Sequence, residues 1–138
     1  MSSKSKTLGL GVLGCGDAAR NIYLPGIRGL EPEGTVRLAA LCDQDEQRLY
    51  SAATAYPGSN TYVDYNRMLE DPDVDVVVNL TPMQAHAACT MQAIAAGKHV
   101  YSEKPVATRL EDANSILEAA GEKGVKVACA PVIMLHPE

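Results

Sequence analysis

The chain has 138 residues, and its 17 acidic residues outnumber its 12 basic ones, for a formal net charge of −5. A chain of this length can bury roughly two-thirds of the surface that its unfolded form exposes, so one domain with one core is expected. The acidic balance, with tyrosine as the only aromatic residue type and no cluster of Lys or Arg, argues against nucleic acid and anionic membranes as partners.

The chain begins with a segment that imitates a secretory signal peptide. Lys4 and Lys6 precede an apolar stretch at 8–15, but glycines interrupt that stretch and no convincing export cleavage region follows it. Residues 1–6 are interpreted as a flexible leader. The apolar run 8–13, which is followed by Gly14, is interpreted as the first strand of a buried parallel sheet.

Helices and strands alternate along the rest of the chain. Short apolar or β-branched runs between turn residues predict further strands at 36–42, 61–63, 74–80, 99–102 and 125–130. Helices are predicted at 18–30, 44–56, 64–69 and 81–97, and from 108 to Gly121 or Gly124. This alternation favours right-handed crossovers and a doubly wound parallel α/β sheet, a Rossmann fold, with about six strands over residues 7–130 and helices on both faces.

Local signals mark three of the predicted helices. Pro25 and Gly26 weaken the second half of the first helix. Thr81-Pro82-Met83-Gln84 and Thr108-Arg109-Leu110-Glu111 both have the spacing of a capping box, and Pro82 occupies a favoured first helical position. The last helix carries apolar residues at helical spacing, namely Leu110, Ala113, Leu117 and Ala120.

The cysteines predict neither a metal site nor a disulfide framework. None of them has the paired C-x-x-C spacing of zinc sites. Each lies in or beside an apolar run, which favours buried, reduced thiols and a cytoplasmic location. The four are Cys15, Cys42, Cys89 and Cys129.

The loop after the first strand is rich in glycine. In a doubly wound sheet, ligands bind outside the carboxyl ends of the strands, and here the sequence is Gly14-Cys15-Gly16-Asp17-Ala18-Ala19. The first glycine permits a tight turn, the second lets the backbone approach a phosphate, and the third position needs only a small side chain. The N–H groups at the start of the following helix would then face the pyrophosphate of a dinucleotide.

Asp43 follows the second strand, 27 residues beyond Gly16. An acid at this position can accept hydrogen bonds from both ribose hydroxyls and would repel a 2′-phosphate, which favours NAD over NADP. Two alternatives stay open. Asp43 could instead cap the following helix, with Asp45 and Glu46 as a solvated acidic first turn. Arg48 could serve a 2′-phosphate, so NADP is not excluded.

Three further motifs lie at the ends of the fourth and fifth predicted strands. They are Asn79-Leu80-Thr81-Pro82 with His86, then Gly97-Lys98-His99-Val100, and then Glu103-Lys104-Pro105. Together with the glycine turn, Leu24-Pro25 and Asp43, they resemble the N-terminal domain of the glucose-fructose oxidoreductase, inositol dehydrogenase and rhizopine-catabolism (Gfo/Idh/MocA) family. The resemblance covers essentially residues 7–130. Two positions depart from the resemblance. Met83 stands where the family often has Asn or Asp, and Met134 stands where the family commonly has Arg.

The resemblance implies a cleft for a nicotinamide dinucleotide. Lys104 would orient or polarise the reacting carbonyl or alcohol oxygen, a role that suits an ammonium donor, and is the one catalytic candidate; an exposed loop cation is the alternative. His86 is either part of the cofactor site or a packed structural residue, and Glu103 could simply pair with a cation. The implied cofactor-binding residues are Gly14, Cys15, Gly16, Asp17, Ala18, Asp43, Leu80, Thr81, Pro82, His86, Glu103 and Lys104.

The family also has a second domain, which binds a sugar, polyol or related substrate and usually makes the oligomer interface. Residues 131–138 are interpreted as the start of the lead-out to that domain. Hydride transfer needs a cofactor, a held substrate and an acid or base in one site, so the chain alone is expected to bind the nucleotide without turnover. The alternatives are a stand-alone nucleotide-binding or redox-sensing module and a domain of another enzyme class, such as a methyltransferase, in which the Glu103-Lys104-Pro105 motif has no purpose.

Overall fold

Short runs of Val, Leu and Ala form the strands of a parallel sheet in the computed structural model, which describes residues 6–130. The sheet has six strands within that range, and all five pairings between them are parallel. The strands β1 to β6 are Leu8–Leu13, Val36–Cys42, Asn60–Tyr62, Val76–Asn79, His99–Ser102 and Val127–Cys129. The order β3-β2-β1-β4-β5-β6 reverses direction between β1 and β4, which confirms the predicted doubly wound fold.

Helices connect successive strands and cover both faces of the sheet. The α-helices of the described residues, α1 to α5, are Leu24–Leu30, Glu46–Ala55, Tyr65–Leu69, His86–Ala95 and Leu110–Lys123. A π-helical turn, Ala19–Tyr23, leads into α1, and a 3₁₀ turn, Glu31–Glu33, follows it. The helix α2 begins later than predicted because Asp45, rather than Asp43, caps it: the Asp45 side chain accepts the N–H groups of Gln47 and Arg48.

The first crossover remains helical through Pro25, where the sequence predicted a weak point. The N–H of Leu24 donates to the carbonyl of Ala19, so the turn before Pro25 has the wider i to i+5 spacing of a π-helix. Pro25 then occupies the first turn of α1, a place where its missing N–H costs little.

Both predicted capping boxes are wrong. The Thr81 hydroxyl donates to Oδ1 of Asn79 instead of capping a helix, and a 3₁₀ turn, Met83–Ala85, precedes α4. The helix α5 begins at Leu110 without a side-chain cap, so Thr108 lies outside it. Its end at Gly124, with φ of 71°, agrees with one of the two predicted ends.

The core consists of two layers, one on each face of the sheet. One layer joins the sheet to α3, α4 and α5 through residues such as Val77, Ile94 and Ile116. The other joins it to the π turn, α1 and α2 through residues such as Leu24 and Leu41. Together the layers hold the carboxyl edges of β1, β2 and β4 in register beneath the loops that follow them.

Some apolar residues lie outside these layers. Leu110 and Leu117, predicted on the apolar face of the last helix, are exposed because the buried stripe of α5 runs through Ile116 and Ala120. Cys129 on the edge strand β6 is exposed as well, which contradicts its predicted burial.

Two predicted segments lie outside the described residues, namely the lead-out at 131–138 and, apart from Lys6, the leader at 1–6. Within residues 6–130 the helices are too short or too polar to cross a bilayer.

Candidate functional site

The carboxyl ends of β1, β2 and β4 open onto a cleft of about 1070 Å³. It lies where the strand order reverses, which is the usual ligand position in a doubly wound sheet. Seven of the predicted cofactor-binding residues line it, namely Gly14, Gly16, Asp17, Asp43, Leu80, Thr81 and Pro82. The other five, which do not appear among the lining residues within 6–130, are Cys15, Ala18, His86, Glu103 and Lys104.

Gly14 makes the turn at the end of β1. Its φ is +99°, a conformation that residues with a side chain rarely adopt, and its N–H donates to the carbonyl of Cys42 at 2.8 Å. A Cβ at this position would lie 2.8 Å from the carbonyl oxygen of Leu80, which belongs to the backbone of the next loop. The first glycine is therefore required by the fold itself.

Gly16 has the opposite environment. A Cβ built there meets no atom within 4 Å, and the residue lines the cleft. Its carbonyl accepts the N–H of Arg20 at 3.0 Å, so the helical crossover starts here, and the N–H groups at a helix start have no partner within the helix. Ala19, at the third motif position, is fully buried, as expected for a small residue between helix and sheet.

Asp43 braces the glycine turn from behind. Its Oδ2 accepts the N–H of Cys15 at 2.8 Å, and its Oδ1 accepts the N–H of Asp45 at 2.8 Å. The side chain is nearly buried but still lines the cleft. One carboxylate thus joins the loops after β1 and β2.

Several further polar side chains line the cleft; sequence reasoning named Arg48 for this site, as a candidate partner of a 2′-phosphate, but not the others. Arg20 projects from the first crossover, and Arg48 and Asp45 from the start of α2, with 3.8 Å between Nε of Arg48 and Oδ2 of Asp45. The helix α3 contributes Asn66, and α4 contributes Gln92. No sequence motif marks Arg20, Asn66 or Gln92, because these residues reach the cleft only through the packing of their helices.

Asn79, at the end of β4, organises the opposite wall of the cleft. The residue is fully buried, and its amide nitrogen donates to the carbonyl of His86 at 3.0 Å and to Oγ1 of Thr90 at 3.1 Å. Its Oδ1 accepts the N–H and the hydroxyl of Thr81, and its carbonyl accepts the N–H of Glu103. The motif beginning at Asn79 is therefore a hydrogen-bonded frame that ties β4, α4 and the loop after β5 together.

His86, the first residue of α4, closes this frame. It is 3% exposed, with 2.6 Å between Nδ1 and the carbonyl oxygen of Pro105 and 2.7 Å between Nε2 and the carbonyl oxygen of Thr81. The ring thus connects the Thr81-Pro82 loop with the Lys104-Pro105 loop.

Glu103 and Lys104 follow β5, beside the first crossover rather than inside the cleft. The N–H of Lys104 donates to Oε2 of Glu103 at 3.0 Å, and the Lys104 side chain is exposed. Burial, and then the neighbouring Glu103 carboxylate, raise the pKa of the Tyr23 phenol, and the Tyr23 ring packs edge-on against Tyr101 with 6.2 Å between centroids.

The thiols next to the glycine turn are poor nucleophiles. Burial, and then the charge of Asp43, raise the pKa of Cys15 to about 12. Burial also raises the pKa of Cys42 to about 12. Within residues 6–130, no group of three or more His, Cys, Asp or Glu is arranged to hold a metal ion.

Comparison with known proteins places this arrangement among oxidoreductases. Residues 8–130 match the family model GFO_IDH_MocA, described as an oxidoreductase family with an NAD-binding Rossmann fold. The inositol 2-dehydrogenase of Salmonella typhimurium is 30% identical over 128 residues, which is 92% of this chain and 36% of that enzyme.

Solved structures agree with this match. The WlbA dehydrogenase from Bordetella pertussis, in complex with NADH and UDP-GlcNAcA, superposes with a TM-score of 0.83 and 30% identity over 91% of this chain and 37% of its own. A 3-ketoreductase from Actinomadura kijaniata, in complex with NADP and TDP-benzene, gives a TM-score of 0.82 and 30% identity over 90% of this chain and 37% of its own. The chain thus spans little more than a third of the length of these relatives.

Proposed function

Because the chain belongs to the Gfo/Idh/MocA oxidoreductase family and has its NAD-binding Rossmann fold, we propose that it binds NAD(H) along the carboxyl edge of the sheet. It would serve as the cofactor-binding part of an oxidoreductase that acts on a sugar, polyol or related alcohol or carbonyl compound. The observation that carries the proposal is the open space at Gly16, between the braced glycine turn and the start of a helix.

The glycine turn suits a pyrophosphate. The space where a Gly16 Cβ would lie is empty and faces the cleft, so phosphate oxygens can approach the backbone. The first N–H groups of the helical crossover, at Gly16, Asp17 and Ala18, would donate to them, as helix starts commonly do for anions. The cleft volume of about 1070 Å³ lies at the upper end for small-molecule sites, which suits an extended dinucleotide.

Asp43 supports the preference for NAD. Each of its oxygens accepts one backbone N–H, and each can accept a second hydrogen bond, from a ribose hydroxyl. A 2′-phosphate would meet the charges of Asp43 and Asp45 on this wall. Arg48 is the group that could favour NADP, but its closest carboxylate is Asp45, 3.8 Å away, so its charge is already partly balanced.

The reacting end of the cofactor would lie towards the loops after β4 and β5. There a nicotinamide, when bound, supplies the hydride acceptor or donor. We assign Thr81 and Pro82 to the wall of the cleft and Lys104 to the substrate oxygen, because an exposed ammonium group can donate a hydrogen bond to a carbonyl or alcohol oxygen. Glu103 would keep the Lys104 backbone in place through the hydrogen bond between them.

The substrate class and the completeness of the site also belong to the proposal. The relatives include an inositol dehydrogenase and a dehydrogenase solved with a UDP-sugar derivative, which supports a sugar- or polyol-like substrate. The chain spans about 36% of the inositol dehydrogenase, so we expect it to bind the cofactor without turnover by itself. The four free cysteines fit a reducing, cytoplasmic location.

Titration of the chain with NADH and NADPH, followed by nicotinamide fluorescence, tests the cofactor assignment. Tighter binding of NADH is expected, and tighter binding of NADPH would overturn the preference. Replacing Asp43→Ala should weaken NADH about tenfold and NADPH less, because the ribose hydrogen bonds are lost together with the repulsion of a phosphate.

The matched control is Asp45→Ala, which removes a carboxylate from the same wall without touching the glycine turn. It also removes the cap of α2, but it should leave NADH binding within about twofold of the unmodified chain, since the brace from Asp43 to the glycine turn stays intact. If Asp43→Ala weakens NADH and NADPH equally, Asp43 acts by bracing the glycine turn and not by contacting the ribose.

A further inference from the structure

The two ring nitrogens of His86 face two groups of the same kind. Nδ1 lies 2.6 Å from the carbonyl oxygen of Pro105, and Nε2 lies 2.7 Å from the carbonyl oxygen of Thr81. Both distances are within hydrogen-bond range. A backbone carbonyl can only accept, so each contact requires a proton on the nitrogen.

A neutral imidazole cannot satisfy both contacts. It carries one N–H and one bare nitrogen, and the bare nitrogen would place its lone pair against a carbonyl lone pair in a nearly buried position. Both contacts are hydrogen bonds only when both nitrogens carry a proton, which makes the ring an imidazolium. A hydrogen bond from a charged donor is also about twice as strong as a neutral one.

His99 provides the contrasting case within the same domain. Its Nδ1 accepts the N–H of Lys126 at 3.0 Å. That nitrogen acts as an acceptor, so the hydrogen bond places the ring proton on Nε2. The two histidines therefore differ in the charge that their hydrogen-bond partners require.

We propose that His86 is a doubly protonated clamp that holds the Thr81-Pro82 loop against the Lys104-Pro105 loop and so positions Lys104 beside the nicotinamide end of the cleft. The part of the inference that concerns Lys104 rests on the proposed function. His86 is a positioning residue, because it is buried and does not line the cleft. A change of protonation can break the contacts that His86 makes between the two loops. It cannot break the neighbouring hydrogen bonds of Asn79, because those join neutral groups.

The surroundings of the ring define how protonation affects the clamp. The start of α4 opposes a positive charge, and the two carbonyl contacts offset that effect. The segment 80–85 has no titratable side chain. The titratable or charged side chains of the neighbouring segments are Cys89 further along α4, Glu103, Lys104 and Arg109 in the loop after β5, and Glu111 and Asp112 in the first turn of α5. Tyr65 of α3 donates its hydroxyl to the carbonyl of Cys89.

Nitrogen NMR of the ¹⁵N-histidine-labelled chain tests the clamp without any cofactor. At about pH 7, where an ordinary histidine is mostly neutral, both His86 nitrogens should show the signature of a protonated ring, and His99 should show a proton on Nε2 alone. The chain has three histidines, at 86, 99 and 136, so the variants His99→Gln and His136→Gln assign the signals by elimination and no His86 variant has to fold. A bare nitrogen in the His86 ring at this pH would overturn the clamp.

The pH dependence of NADH affinity tests the positioning role. As the pH rises and His86 loses one proton, one of its two contacts is lost, and affinity should fall about tenfold. His99→Gln should show the same fall, whereas His86→Gln should bind NADH with little dependence on pH. A flat profile for the unmodified chain would contradict the positioning role. A chain that binds no NADH at any pH would overturn the proposed function, while the NMR result still decides the clamp.

Discussion

The two halves of the carboxyl edge are built on different physical principles. In the half formed by β1 and β2, the glycine turn leaves open space at Gly16 and is braced from behind by Asp43. In the half formed by β4 and β5, polar groups satisfy one another: Asn79 bonds to Thr81, and His86 bridges two loops. The first half presents the start of a helix to the cleft, whereas the second is a closed hydrogen-bonded frame that includes the loop carrying Lys104.

Of the substitutions that compare the two halves, Gly14→Ala should lower the free energy of unfolding most. It forces a side chain into a conformation with φ of +99° and against the Leu80 carbonyl, and we expect a loss of about 4 kcal/mol in the free energy of unfolding. Urea unfolding measures this loss. Gly16→Ala is the matched control and should change the free energy by less than about 1 kcal/mol, because nothing lies within 4 Å of its Cβ position. Equal losses would show that the two glycines do not differ in role.

Asn79→Ala should break the closed half. It removes a fully buried amide that bonds to Thr81, His86 and Thr90, and we expect a loss of about 3 kcal/mol, since buried partners are left without hydrogen bonds. Thermal unfolding followed by circular dichroism measures it. Asn79→Asp preserves the shape but cannot donate when ionised, and it should be destabilised as well; an Asp variant as stable as the unmodified chain would contradict the donor role.

The rates at which the four cysteines react with a thiol reagent give a smaller contrast between the two halves. Cys15 and Cys42 are buried behind the glycine turn and their pKa values are raised to about 12, so at about pH 8 only about one thiol in ten thousand is ionised. Both should react with a thiol reagent only after unfolding, and Cys129, which is exposed, should react first. Cys89 lines the cleft and should be protected by NADH; labelling of Cys15 in the folded chain would contradict its burial.

The glycine turn was predictable from the sequence because its backbone conformation restricts which residue types can occupy it. A strand that turns directly into a helix needs a positive φ at Gly14 and a small side chain at Ala19. Glycine and alanine at these positions are therefore visible in the sequence as signs of the turn. The alternating runs that predicted six strands are equally local. Only the element bounds shifted by a few residues.

The closed frame was not predictable, because its partners are distant in the sequence. Thr81 has the spacing of a capping box, but the amide of Asn79 competes for its hydroxyl. His86 contacts Pro105, 19 residues away. The brace in the other half is hidden for the same reason, because Asp43 contacts Cys15, 28 residues away. Such contacts depend on strand order and helix packing. A single sequence therefore shows which residue types are present but not which of their atoms form hydrogen bonds.

Calorimetric titration of NADH into the unmodified chain and into Gly16→Val tests the central claim most directly, because the valine projects into the space next to the glycine turn, where a Cβ meets no atom within 4 Å. We predict measurable binding by the unmodified chain and a loss of at least about 100-fold in the variant, equivalent to about 2.7 kcal/mol, with little change in the unfolding temperature. Unchanged NADH affinity in a folded Gly16→Val variant would show that the pyrophosphate does not bind at the glycine turn.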